Sequence, residues 1–164
     1  MKTHYVKVED NFLDESYLKY LQEIIMGYNI PWFSNLFTDD SEDFQFTHQF
    51  FNLYNGDLST HFHHLEPLVA KMNIKKLYRI KANLTLKTFF KRKRGYHTDY
   101  HNITTSVFYL NTNNGGTKFK GGRFVKSVAN RLVTFDSNLI HTGVSCTDEK
   151  RRFAINFNYE SAII

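Results

Sequence analysis

The chain has 164 residues, enough for one domain with a sizeable core. Its 16 Phe and 10 Tyr favour strands, while only 2 Pro and 8 Gly exclude a disordered or fibrous chain. A formal charge of +5 permits an acidic partner without requiring one, and the single cysteine, Cys146, excludes an internal disulfide and a cysteine-based zinc cluster.

Met1 to Asp10 is polar and carries no apolar signal core. No apolar run approaches the ~20 residues of a membrane helix. The expectation is a cytoplasmic protein with no membrane partner, in which the sequons Asn83-Leu84-Thr85 and Asn102-Ile103-Thr104 carry no weight. Asp14 or Ser16 caps a first helix, because Tyr17, Leu18, Leu21, Ile24 and Ile25 form one apolar stripe. Gly27 falls where a left-handed C-terminal residue is wanted. Pro31-Trp32-Phe33 leads to an acidic loop, Asp39 to Asp43.

Phe44 to Tyr54 reads as a strand with Phe44, Phe46 and Phe50 or Phe51 as its apolar positions, broken by Asn55-Gly56-Asp57. Leu58, Phe62, Leu65, Val69 and Met72 share a helical stripe, and Pro67 either kinks that helix or starts a second segment. From Leu77 the period becomes two: Tyr78, Ile80, Ala82, Leu84 and Leu86 alternate with Arg79, Lys81, Asn83, Thr85 and Lys87. Further strands are expected at Tyr96–Tyr100, Thr104–Asn111, Gly122–Lys126, Arg131–Phe135 and Arg152–Tyr159, separated by Asn- and Gly-rich turns. The pattern predicts a single α+β, mainly β domain over 1–164. Residues 1–76 form a helical N-terminal support with one strand, its helices packed on one sheet of a β-rich core at 77–164.

Gly95-Tyr96-His97-Thr98-Asp99 is the segment with chemical potential. In a strand His97 and Asp99 point to the same face, and two donors on one face can grip one metal ion. His141, after the Leu132–Phe135 strand and a short turn, is the best third ligand. Two imidazoles and a carboxylate form the facial set of non-haem Fe(II) oxygenases, which leaves coordination positions open. On the last strand Arg152, Ala154, Asn156 and Asn158 share one face, and Phe153, Ile155, Phe157 and Tyr159 the other. The second face is core; the first is expected to line a cavity, where an arginine can take a carboxylate through paired charge-assisted hydrogen bonds.

These residues carry a family resemblance. His97-Thr98-Asp99, Tyr109-Leu110-Asn111, Gly115-Gly116 with Phe119, Arg131-Leu132-Val133-Thr134-Phe135, His141-Thr142-Gly143 and Arg152-Phe153-Ala154-Ile155 occur in this order. The stretch from Tyr96 to Tyr159 resembles the core of the 2-oxoglutarate/Fe(II)-dependent dioxygenases, in the prolyl 4-hydroxylase-like branch. The resemblance implies a double-stranded β-helix (jelly-roll or cupin-like) and iron held by His97, Asp99 and His141. It also implies 2-oxoglutarate held by Arg152 (or Arg151, one residue earlier) with Tyr109. Implied too are O2 as co-substrate, ascorbate as an optional reductant, and hydroxylation of an unactivated C–H bond of a prolyl or other amino-acid, free or peptidyl, substrate. The branch often carries a tyrosine on the lead-in strand where this chain has Thr85 or Lys87.

Around the site, Thr98 is expected to point away from the metal, and Tyr96, Tyr100 and His101 to flank it toward substrate. Asp136 and Asn138 are candidates for orienting the ligand histidines. His61, His63 and His64 form a cluster without an obvious completing ligand, so a solvated helix face is the simpler reading. Lys91-Arg92-Lys93-Arg94 after Phe89-Phe90 reads as a solvated loop or as the border of a substrate entrance favouring acidic groups. Three other functions share these residues: a nucleic-acid-directed oxygenase of the same superfamily, a two-histidine, one-aspartate zinc hydrolase, and a non-catalytic binding module, against which the intact set and Arg152 argue. The oligomeric state is not legible.

Overall fold

The computed structural model describes residues 5–34 and 45–162. Its elements run β1 (Val6–Glu9), α1 (Glu15–Met26), β2 (Phe33–Ser34), β3 (Gln45–Asn52), β4 (Asp57–Leu58), a 3-10 turn (Phe62–Leu65), α2 (Glu66–Lys71) and β5 (Ile74–Leu86). They continue with β6 (Thr104–Tyr109), β7 (Gly116–Phe119), β8 (Phe124–Lys126), β9 (Arg131–Asp136), β10 (His141–Val144) and β11 (Arg151–Ser161). The acidic loop Asp39–Asp43 and Phe44 lie outside the described residues. Among the described residues no helix is long and apolar enough to cross a membrane.

Among these elements the strands form two antiparallel sheets. The larger has the order β1-β9-β6-β11-β5-β3-β2, with β4 on β3; the smaller has the order β10-β7-β8. Fully buried Leu21 and Ile25 of α1 and Leu68 of α2 pack with Phe108, Phe153, Ile155, Phe157 and Ile80 from one face of the larger sheet. The opposite face presents Val107, Tyr109, Val133, Phe135 and Ala154 to Phe119 and Val125 of the smaller sheet. The result is a jelly-roll-like, mainly β core with helices on one outer face. Alternation along β11 explains both layers: Phe153, Ile155 and Phe157 feed the helix side, while Ala154 faces the smaller sheet.

Local chemistry sets the boundaries. The Asp14 carboxylate accepts from the Tyr17 backbone N–H at 2.9 Å and caps α1. Gly27 does not take the left-handed conformation expected of it (φ −84°, ψ −152°); a Cβ there would lie 2.4 Å from the Glu23 carbonyl oxygen, so close backbone approach explains the glycine. The expected long second helix is instead β4, the 3-10 turn and α2, with Pro67 in the first turn of α2, where its missing N–H costs nothing. A register shift between Gln49 and Phe51 in β3 leaves Phe50 as an extra residue, which turns its ring into the core.

Two expectations about strands are corrected. Tyr96–Tyr100 is not a strand; within it only His97 makes a bridge, to His141. Four described strands precede Ile74, where the sequence shows one, because β1, β2 and β4 are too short to display a period.

Candidate metal centre and its cavity

His97 and His141 are brought together by backbone pairing. The His97 N–H donates to the His141 carbonyl at 3.0 Å, and the His141 N–H to the His97 carbonyl at 2.9 Å. With a second bridge between Lys93 and Val144, the segment before Asp99 lies along the edge of the smaller sheet beside β10. Asp99, two residues on, is held by side chains of the larger sheet. Its Oδ2 accepts from Thr105 Oγ1 at 3.1 Å and from Asn158 Nδ2 at 3.0 Å, and Arg79 Nη2 stands 3.6 Å from Oδ1. The expected shared face of His97 and Asp99 thus arises from two sheets converging, and strand alternation plays no part.

One donor atom from each of His97, Asp99 and His141 lies within 4.8 Å of the others. Both imidazoles have Nδ1 against a backbone carbonyl: His97 on Gly95 at 3.1 Å and His141 on Leu139 at 2.9 Å. Each Nδ1–H therefore donates outward, and each Nε2 lone pair faces Asp99 (3.7 Å from His97, 4.0 Å from His141). Burial pushes the His141 imidazole below its ordinary value despite the Leu139 carbonyl and Asp99, which favours the neutral, ligating form. Burial alone pushes the Asp99 carboxyl up, but His141, Arg79, the Asn158 amide and His97 outweigh it and hold the carboxyl below the usual range. Two imidazole nitrogens beside a carboxylate, one imidazole held neutral by burial, suit a divalent cation.

The set opens into a cavity of about 430 Å³ lined also by Arg152, Ala154 and Asn156 on β11, by Arg79, Lys81, Asn83 and Thr85 on β5, and by Lys87 just after β5. The polar half of β5, which the sequence leaves on an open face, therefore forms a cavity wall. The expected lining face of β11 is present, and its fourth member, Asn158, is the buried amide that holds Asp99.

Arg152 is 6% exposed and Arg151 is exposed with its guanidinium 5.3 Å from the Phe153 ring, so of the two only Arg152 reaches the cavity. The Arg152 guanidinium lies 5.5 Å from the Tyr109 ring centroid and donates from Nη2 to the Gly116 carbonyl at 3.3 Å. Its Nε has no partner among the described residues. A buried guanidinium short of acceptors fits an anionic ligand. Tyr109 is fully buried; its hydroxyl pairs with Thr117 Oγ1 at 2.7 Å, and Thr117 is the member of that pair that lines the cavity.

Other sequence candidates fall elsewhere. Asn138 bonds His101 Nδ1 at 3.3 Å and the Asp136 carboxylate, and the carbonyls of Gly95 and Leu139, not Asn138, orient His97 and His141. His61, His63 and His64 pack as rings with His48 and Tyr20, and only the His97, Asp99 and His141 set gathers three ligand atoms among the described residues. Tyr100 stacks with Tyr54 at 5.8 Å and carries the Arg79 guanidinium 5.1 Å from its ring. Sequence reasoning missed Arg79, Thr105 and Thr117. Arg79 was visible only as one more polar position of an alternating strand.

No family model and no curated protein matches the chain. Among solved structures, a Pseudomonas putida prolyl-4-hydroxylase is similar at TM-score 0.64 and 14% identity, over 98% of this chain and 95% of that one. A Trichoplax adhaerens prolyl hydroxylase, solved with a hypoxia inducible factor oxygen degradation domain peptide fragment, is similar at TM-score 0.64 and 15% identity, over 97% and 84%. HygX from Streptomyces hygroscopicus, solved with nickel, 2-oxoglutarate and hygromycin B, is similar at TM-score 0.64 and 10% identity, over 99% and 85%. The chain has the fold of the 2-oxoglutarate–Fe(II) oxygenases, prolyl hydroxylases among them.

Proposed function

We propose that this protein is a 2-oxoglutarate- and Fe(II)-dependent dioxygenase on a double-stranded β-helix, hydroxylating an unactivated C–H bond of a prolyl or other amino-acid or peptidyl substrate. The observation that carries the reading is the presence, in one cavity, of a two-histidine, one-carboxylate set and a buried guanidinium with an unpartnered Nε. The fold shared with solved oxygenases supports it.

In this reading His97, Asp99 and His141 hold the iron and Arg152 takes the distal carboxylate of 2-oxoglutarate. When bound, iron and 2-oxoglutarate supply the oxidative decarboxylation and the transfer of oxygen from O2 to a C–H bond. The chain supplies position. The Gly95 and Leu139 carbonyls fix each imidazole tautomer so that Nε2 faces the centre. Thr105 and Asn158 fix the carboxylate. Tyr109 supports the Arg152 guanidinium and, through its hydroxyl, holds Thr117 at the cavity wall. Val107 and Ala154 give that wall an apolar patch.

Anaerobic titration of Fe(II) and 2-oxoglutarate into apo-protein tests the reading through the weak visible band of the chelate. The band is expected in the wild type, absent in His141→Ala, and shifted to much higher 2-oxoglutarate in Arg152→Ala. No band under any condition sinks it. A zinc hydrolase fits less well: the only carboxylate lining the cavity among the described residues is Asp99, leaving no separate general base.

A nucleic-acid-directed oxygenase is the second reading. Phe89 and Phe90 are 98% and 81% exposed beside Lys91-Arg92-Lys93-Arg94, and Phe89, Arg92 and Arg94 border the cavity. Oligonucleotide affinity that falls steeply with salt would favour it; salt-independent or absent binding removes it.

A further inference from the structure

The cavity holds more positive charge than the proposed co-substrate uses. Arg79, Lys81, Lys87, Arg92, Arg94 and Arg152 line it, against the single carboxylate of Asp99 among the described residues. Arg152 is assigned to 2-oxoglutarate. Arg79 is engaged: its Nε donates to Asn158 Oδ1 at 3.0 Å and its Nη2 faces Asp99. Lys81 is different. It projects from the centre of β5 into the cavity, paired in register with Asn156 on β11 and Gln49 on β3. Among the described residues its ammonium has no hydrogen-bond or ion-pair partner.

Register places Lys81 apart from Arg152. Arg152 pairs with Thr85, whereas Lys81 pairs with Asn156, four residues further along β11, and the next inward position, Asn158, holds the metal ligand Asp99. The two cations stand roughly 13 Å apart along the strand direction. A ligand anchored at Arg152 and at the metal occupies one lane, along β11. Lys81 stands on the neighbouring strand, near the metal end and on the side away from β6.

Resting on the oxygenase reading, we infer that Lys81 is the anion subsite for the primary substrate, which carries a carboxylate close to the carbon that is hydroxylated. A free amino acid or a C-terminal or acidic residue meets this requirement; a neutral internal peptide segment does not. Supporting chemistry comes from the state of the amine. Burial first, then repulsion from Arg79 and Arg94 against attraction by Asp99, brings Lys81 down to about 8, so its charge is poorly solvated and gains from an anionic partner.

The test uses the full chain with Fe(II), without oxygen and with saturating 2-oxoglutarate. N-acetyl-L-proline and N-acetyl-L-prolinamide are matched probes, alongside the α-amides of N-acetyl-L-glutamate and N-acetyl-L-glutamine. Binding is read by calorimetry, and the Lys81 amine by NMR of ¹³C-methylated lysines. The carboxylate member of at least one pair is expected to bind about tenfold or more tightly than its amide and to raise the Lys81 titration. Lys81→Gln is expected to bring that ratio near one with 2-oxoglutarate affinity little changed, and Lys81→Arg to restore the preference.

Equal binding of acid and amide in the wild type overturns the inference. So does a Lys81→Gln variant that loses 2-oxoglutarate affinity as Arg152→Ala does, which assigns Lys81 to the co-substrate. If the chelate band never forms but the Lys81-dependent carboxylate preference is present, the subsite stands and the oxygenase reading fails.

Discussion

His97 and His141 exchange both of their backbone hydrogen bonds, so the two imidazoles are spaced by the smaller sheet itself, with ring centroids 4.7 Å apart. The histidine pair is therefore a rigid half-site. Asp99, the third member of the set, is aimed by the other sheet through side chains. Disturbing the aim of Asp99 should tune metal affinity without dismantling the fold.

Asn158→Ala tests that division. The Asn158 amide is fully buried, donates to Asp99 and Thr105, and accepts from Arg79. Its loss frees the carboxylate to rotate, and metal affinity measured by chelator competition is expected to fall about 10–100-fold. An unchanged affinity would mean that the backbone around Asp99 alone sets its position.

Arg152→Met separates binding from stability. The wild-type guanidinium is buried with one weak acceptor and an unpartnered Nε. Replacing a poorly compensated buried charge by an apolar chain of similar length should leave the apo-protein at least as stable in urea. The thermal stabilisation that 2-oxoglutarate gives the metal-loaded wild type should vanish in the variant. A variant that unfolds more easily would show that Arg152 is a structural residue.

Gly116→Ala is expected to cost about 1–3 kcal/mol in urea denaturation. A Cβ there would stand 2.1 Å from the Val125 carbonyl oxygen, between β7 and β8, and the Gly116 carbonyl is the acceptor of Arg152. Gly121→Ala, which meets nothing within 4 Å, serves as the control and should stay within about 0.5 kcal/mol.

His48 should make stability fall in mild acid. Burial lowers its titration below the ordinary 6.5, with the Pro31 carbonyl opposing and the neighbouring His61 ring adding repulsion. Its folded value lies below its unfolded value, so its contribution is complete above about pH 6.5 and is lost as pH falls through the lower folded value. Melting temperature should drop as pH falls below about 6.5, and His48→Gln should flatten part of that drop. Equal slopes in both proteins would remove His48 from the account.

Much of this was legible in the sequence. Alternation holds along Arg152–Phe157 of β11, so Phe153, Ile155 and Phe157 announce a core face and Arg152, Ala154 and Asn156 a cavity face. The grouping of His97, Asp99 and His141 was legible because their order along the chain matched a pattern. What escaped was long-range. Nothing local marks Arg79 as a neighbour of Asp99, twenty positions on, or Thr117 as the partner of Tyr109. The helical stripe from Leu58 to Met72 misled because a strand, a 3-10 turn and a short helix in succession can bury the same residues as one helix. The short β1 is set by pairing with β9, more than a hundred residues away, and no periodicity within four residues encodes that.

The place of β11 has a bearing on how the molecule is made. It stands in the middle of the larger sheet, between β6 and β5, yet it is the last of the described strands to leave the ribosome. Until residues 151–161 emerge, a nascent chain carries two half-sheets with unpaired inner edges and a bare aromatic seam, a state prone to pair with other chains. Sheet closure is then a late, non-local and slow event. The same strand brings Arg152 and Asn158, so neither the anion pocket nor the support of Asp99 exists in any shorter product. A product ending before β11 would therefore hold His97, Asp99 and His141 without their supporting strand.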